Sequence, residues 1–153
     1  MLFFTLLKFL HIFLAIAAVG SNLTYAIWFQ RAVQAPQHLD FALRGIKFLD
    51  DYVANPAYIG LLLTGLGMVL TLPLPFNTFW IYTALGLYIL LLIGGFGFYT
   101  PTLRNQIKTL EPQGAASAEY KHLHQRGTVI GIVLAVIVIM ILLLMVFKPN
   151  PFA

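Results

Sequence analysis

Cysteine is absent from the 153 residues. Its absence removes disulfides, thiolate zinc, iron–sulfur clusters and covalent c-type haem, and it leaves the redox compartment open. Charge is scarce too. Only 9% of the residues are charged, against roughly 25% in a soluble domain. So little charge cannot cover a water-facing surface, and the 60% hydrophobic content excludes intrinsic disorder. The length excludes a multidomain enzyme, so residues 1–153 read as a single domain. No Walker loop, nucleophile elbow, zinc-protease helix or catalytic-triad pattern occurs. The sequence therefore assigns no catalytic residue and leans away from an enzyme.

What is present is apolar and long. A transmembrane helix needs about 20 mostly apolar residues. Four stretches qualify, at residues 9–29, 56–72, 79–98 and 128–147, and none contains Asp, Glu, Lys or Arg. Backbone in lipid must satisfy its own hydrogen bonds, so these spans are helices. Asn55-Pro56 is expected to bound the start of the second span, and Pro73-Leu74-Pro75 its end. Residues 1–21 also resemble a signal peptide. Lys8 lies inside the apolar run, however, and the run continues past Ser21 to Trp28, which points to an uncleaved first helix.

Basic residues set the expected orientation. Arg31, Arg44 and Lys47 lie between the first two spans, and Arg104, Lys108, Lys121 and Arg126 between the last two. Only Lys8 and Lys148 lie on the other side. This places a multi-pass protein in the cell membrane with both long loops cytoplasmic and both termini outside. The net charge of +4 is this topological bias and does not indicate a nucleic-acid partner. In the first loop Leu39, Ala42, Leu43, Ile46, Leu49 and Val53 recur at helical spacing. Asp40–Arg44 and Lys47–Asp51 are i, i+4 pairs on the other side. This segment reads as an amphipathic helix at the interface or an extension of the second span. The expected fold is all-α: an antiparallel four-helix transmembrane bundle with a short amphipathic interfacial helix.

Lipid is as apolar as leucine, so such helices associate through small residues. Gly60, Thr64, Gly67 and Thr71 form a stripe in the second span, and Gly127, Gly131 and Ala135 another leading into the fourth. Gly94, Gly95 and Gly97 cluster in the third. The plain reading is packing within one bundle. The sharper reading is that one stripe docks another membrane subunit, a second copy or a flat cofactor.

His11 is the titratable residue inside the spans. A histidine in a bilayer is costly unless paired or coordinated, which makes it a functional candidate. One reading is an axial ligand for b-type haem. The other is a side chain hydrogen-bonded to a neighbouring helix or headgroup. His122 and His124 precede the fourth span at its cytoplasmic end, and His38 is cytoplasmic too. His11 lies about 25 Å of helix away from the cytoplasmic end at Trp28. A second axial ligand would then come from Met68, Met140 or Met145, each of which also reads as a packing or lipid-facing residue. His38, His122 and His124 read as solvated interfacial side chains, so no metal site is assigned. Asp50 and Asp51 read as structural interface charges at a helix start, with a proton or quinone-head contact as the second reading.

Leu7-Lys8-Phe9-Leu10-His11-Ile12, a small-residue first helix with Gly20, and Leu144-Met145-Val146-Phe147-Lys148-Pro149 carry a resemblance. The chain resembles a bacterial four-helix integral membrane family of unknown function. That family is in turn similar to HemJ-type protoporphyrinogen oxidases and copper-resistance D proteins, which share an early K-x-x-H. The resemblance implies b-type haem at His11. HemJ-type enzymes also use a basic residue in the third helix, and residues 79–98 hold none. Two functions stay open from sequence: a haem- or quinone-linked redox membrane protein built on His11, and a non-catalytic accessory or assembly subunit of a larger membrane complex.

Overall fold

Four rods of helix follow one another, and each is longer than the apolar run that predicts it. The computed structural model describes residues 2–72 and 75–149. Helix α1 is Leu2–Gln34. It ends where Ala35 adopts φ −137° and ψ 72°, the non-helical backbone that Pro36 imposes on the residue before it. A 3₁₀ turn (Pro36–His38) leads into α2 (Leu39–Leu49) and α3 (Asn55–Thr71). Helices α4 (Phe79–Leu92) and α5 (Thr100–Gln113) form the third rod. Gly114, at φ 75°, takes the left-handed side of backbone space that ends α5. Ser117 then caps α6 (Ala118–Phe147) by accepting the Tyr120 N–H at 3.2 Å. All four rods are long and apolar enough to cross a membrane, and no strand occurs among the described residues.

The second and third rods contain the same irregularity. Asp50–Ala54 and Ile93–Tyr99 are π-helical, and they join α2 to α3 and α4 to α5 without a break. A proline follows each by two residues: Pro56 and Pro101. Proline has no N–H and its ring collides with the carbonyl four residues back. A wider turn absorbs that collision. The Asn55 N–H reaches the Asp50 carbonyl and the Thr100 N–H reaches the Gly95 carbonyl, each five residues back. Asn55-Pro56 opens α3 as expected, but the rod does not begin there, because the π-turn carries it back into α2. Of the expected end at Pro73-Leu74-Pro75, Pro73 and Leu74 lie outside the described residues.

The rods pack as two pairs. Helix α1 lies along α3 and touches α2, while α4 and α5 lie along α6; the pairs meet where α2 packs on α5. That meeting is at the end carrying the basic loops. There the apolar face of α2 is buried: Leu39, Ala42, Leu43 and Ile46 pack with Tyr25, Ala32, Ala54, Leu103 and Tyr120. The amphipathic segment thus extends the second rod. It uses its apolar stripe against protein and turns Asp40 and Arg44 outward, where Arg44 bridges Asp40 and Glu111 of α5, while the largely covered Lys47 pairs with Asp51. A bilayer core is about 30 Å thick, roughly 20 helical residues. Polar α2 and α5 therefore supply the length beyond it. At the opposite end Lys148 sits 5.6 Å from the Trp80 ring centroid.

Candidate functional site

The glycines of the small-residue stripes face specific neighbours. A Cβ on Gly60 would lie 2.8 Å from Leu14 of α1, and one on Gly67 would lie 3.3 Å from Leu7. On α6, a Cβ at Gly127 would lie 2.6 Å from the Gln106 amide nitrogen, whereas one at Gly131 would meet Tyr99 at an ordinary 3.6 Å. Gly94 faces Leu134 at 2.6 Å.

His11 is half-buried against α3. Its Nδ1 lies 2.8 Å from the Thr64 hydroxyl. That hydroxyl lies 2.7 Å from the Gly60 carbonyl and has one proton, which it donates there. With that proton given to Gly60, Thr64 accepts from the Nδ1–H tautomer of His11, the tautomer whose Nε2 keeps its lone pair. Met68 lies one turn further along α3 and is half-buried. Met140 and Met145 are exposed on α6, which packs on α4 and α5.

A second feature was not legible as a site in the sequence. Between α1 on one side and α4 and α6 on the other is a cleft of about 530 Å³. Most of its wall is apolar, from Val19 on α1 to Leu142 on α6. Leu23, Val33, Phe96 and Ile139 line it and are also exposed, so it opens sideways to the surroundings of the bundle. Toward the basic end the lining turns polar, with Asn22, Tyr25, Asp50, Asn55, Tyr58, Tyr99, Gln106 and His124.

Both π-turns feed this polar end. Such turns widen the helix and often mark functional positions. Asp50 and Asn55 flank the first, and Tyr99 closes the second. Asp50 is only 4% exposed, and its Oδ2 accepts the Thr100 hydroxyl at 2.8 Å across the pair of rods. The adjacent Asp51 is exposed and pairs with Lys47. Asn22 donates to the Tyr58 hydroxyl, and Tyr88 donates to the Tyr58 carbonyl at 2.7 Å. Tyr25 stacks on Tyr99 with centroids 6.3 Å apart.

Among the described residues three buried polar atoms have no protein partner: the Tyr25 hydroxyl, Gln106 Oε1 and His124 Nδ1. All three residues line the cleft. Native proteins rarely bury polar atoms unpaired, because each costs about 1–3 kcal/mol. Their convergence on one cavity is what a bound polar group would satisfy.

Two expectations from sequence are corrected here. His124 is half-buried, its ring stacked 6.2 Å from Tyr120 and tilted 5.6 Å from Phe29, rather than solvated. His122 and His38 are exposed. Asp50 is a buried cleft residue, not an interfacial charge. The signal that could have found it is spacing: Asp50 lies seven residues after Leu43 and four after Ile46, whose carbonyl its N–H reaches, so it continues the buried face of α2. Among the described residues no group of three or more His, Cys, Asp or Glu is arranged to hold a metal ion.

No curated protein and no solved structure matches the chain. Residues 5–149, nearly the whole sequence and all four long helices, match a single family. The chain is thus a member of the family described as predicted integral membrane protein (DUF2269).

Proposed function

We propose that this membrane protein binds a small amphipathic molecule dissolved in the bilayer, with the tail along α1, α4 and α6 and the head at the polar end of the cleft. The observation that supports this most is the set of unpaired atoms on Tyr25, Gln106 and His124 around one cavity. The side opening supports it as well, since a lipid-soluble molecule arrives from the side and not from water. Pockets for small molecules have this form: a mostly apolar cavity with a few convergent polar groups. Native mass spectrometry of the protein released from membranes tests the proposal. A retained molecule of one defined mass is expected. Gly95 lines the cleft and a Cβ there meets nothing within 4 Å, so Gly95→Leu is the substitution chosen to narrow the cavity. It should abolish the retained mass while leaving the fold intact. Equal retention by Gly95→Leu would overturn the proposal.

A second reading rests on His11. Thr64 holds its ring with Nε2 unprotonated, the state in which histidine ligates haem iron, and a partner on the second nitrogen orients such ligands. Bound haem would supply electron-transfer chemistry; His11 would hold it and Thr64 would orient His11. Met68, Met140 and Met145 remain the proposed sources of an opposite ligand. A Soret band in protein made with haem supplied, lost in His11→Ala, is the expected result. A protein with neither a retained amphiphile nor haem would leave the accessory-subunit role, with other subunits or a second copy as partners.

A further inference from the structure

The polar end of the cleft has a definite electrical character. Asp50 is its one carboxylate, and no Lys or Arg lines the cavity. The carboxylate is buried, and the partners of its Oδ2 are the neutral side chains Thr100, at 2.8 Å, and Asn55, at a long 3.5 Å. Lys47, one turn away, acts on Asp50 through space but gives its ammonium to Asp51. A buried carboxylate with no cation in contact is expensive unless something pairs with it.

The neighbours repeat the same preference. Gln106 is 2% exposed, and its amide nitrogen donates to the Leu123 carbonyl at 3.2 Å. Its unpaired Oε1 can only accept. Asn22 commits an amide hydrogen to Tyr58. The unpaired Tyr25 hydroxyl can accept or donate. Beside hydroxyl and amide groups that can also donate, the site therefore offers a head group two acceptor-only groups, the Asp50 carboxylate and Gln106 Oε1, next to the Tyr25, Tyr58 and Tyr99 rings. Ring faces attract cations. A quinone head, which only accepts, would leave Asp50 and Gln106 Oε1 unmatched. A carboxylate or phosphate head would meet Asp50 as a like charge.

We infer that the cleft selects a lipophilic amine: a protonated amino head paired with Asp50, hydrogen-bonded to Gln106 Oε1 and the Tyr25 hydroxyl, and carrying an apolar tail between α1 and α6. The inference rests on the amphiphile-binding reading and adds the class of head.

The test uses the full chain in nanodiscs, titrated with dodecylamine, dodecanol and dodecanoic acid, whose tails match. Occupancy is read by native mass spectrometry. The amine should bind one molecule per chain about a hundredfold more tightly than the alcohol or the acid, the scale set by leaving a buried charge unpaired. Asp50→Asn keeps the side-chain shape and the acceptor for Thr100, and should erase that preference. Asp51→Asn removes the exposed neighbouring charge and should preserve it. Equal binding of alcohol and amine to the wild-type chain overturns the inference and leaves the amphiphile-binding reading standing. So does an amine preference that survives in Asp50→Asn or is lost equally in Asp51→Asn. Binding of none of the three, with nothing retained from membranes, overturns both.

Discussion

Gly127 and Gly131 sit one turn apart on α6, yet their neighbours differ. At Gly127 a methyl group would push the Gln106 amide off the Leu123 carbonyl, because 2.6 Å leaves no room for both. Gly127→Ala should therefore cost about 1 kcal/mol, the usual net worth of one hydrogen bond. Gly131→Ala, at 3.6 Å from Tyr99, should be neutral. Reversible unfolding in mixed micelles separates the two. Thr64 is tested in the same way. Thr64→Val removes the acceptor for His11 and should cost about 0.6 kcal/mol, as interhelical hydrogen bonds in membranes typically do. Thr64→Ser should restore the stability. Recovery with valine but not serine would mean that the methyl group, and not the hydroxyl, matters at this crossing.

The elements that carry the site are the two proline-displaced helices. An ordinary α-turn before Pro56 or Pro101 would leave a carbonyl against a ring. The π-turns resolve the collision, and Asp50, which begins the first, and Tyr99, which ends the second, both line the cleft. Helix α2 is the other element with a clear energetic role. Leu43 and Ile46 are 0% exposed in its face against α1 and α5. Leu43→Ala should lower stability by about 2–5 kcal/mol through the cavity it leaves. Arg44→Ala, on the outward face, should leave the melting temperature unchanged, since exposed ion pairs contribute little. Thermal unfolding followed by circular dichroism checks both. Equal losses in the two variants would mean that α2 is held by its charges and not by its apolar stripe.

For the whole molecule, the two helix pairs close together at the basic end and leave the cleft between them. The basic loops predict which way this assembly sits. Arg31, Arg44, Lys47, Arg104, Lys108, Lys121 and Arg126 all belong to one end of the bundle. By the positive-inside rule that end is expected to face the cytoplasm, so a tag on the C-terminus should react with an impermeant reagent in intact cells. Reaction only after the membrane is opened would reverse the orientation. The absence of cysteine lets single introduced cysteines serve as reporters, for example at exposed Leu23 on the cleft rim.

Hydropathy alone determined the number of spans and their helical character, because backbone in lipid has few ways to satisfy its hydrogen bonds. Apolar spacing from Leu39 to Val53 likewise determined which face of α2 is buried, since a stripe at helical period has to be covered. His11 was legible as a residue in need of a partner; that the partner is Thr64, fifty-three positions away, was decided by how α1 crosses α3. The cleft was not legible. Asp50 and Asp51 are identical in type and adjacent; Asp50 lies four residues after Ile46 and continues the buried face of α2, while Asp51, one position on, turns outward. Tyr25, Gln106 and His124 lie on three different helices. Nothing local makes their polar atoms converge; the splay between two packed pairs does, because it opens a space that no side chain of the chain fills.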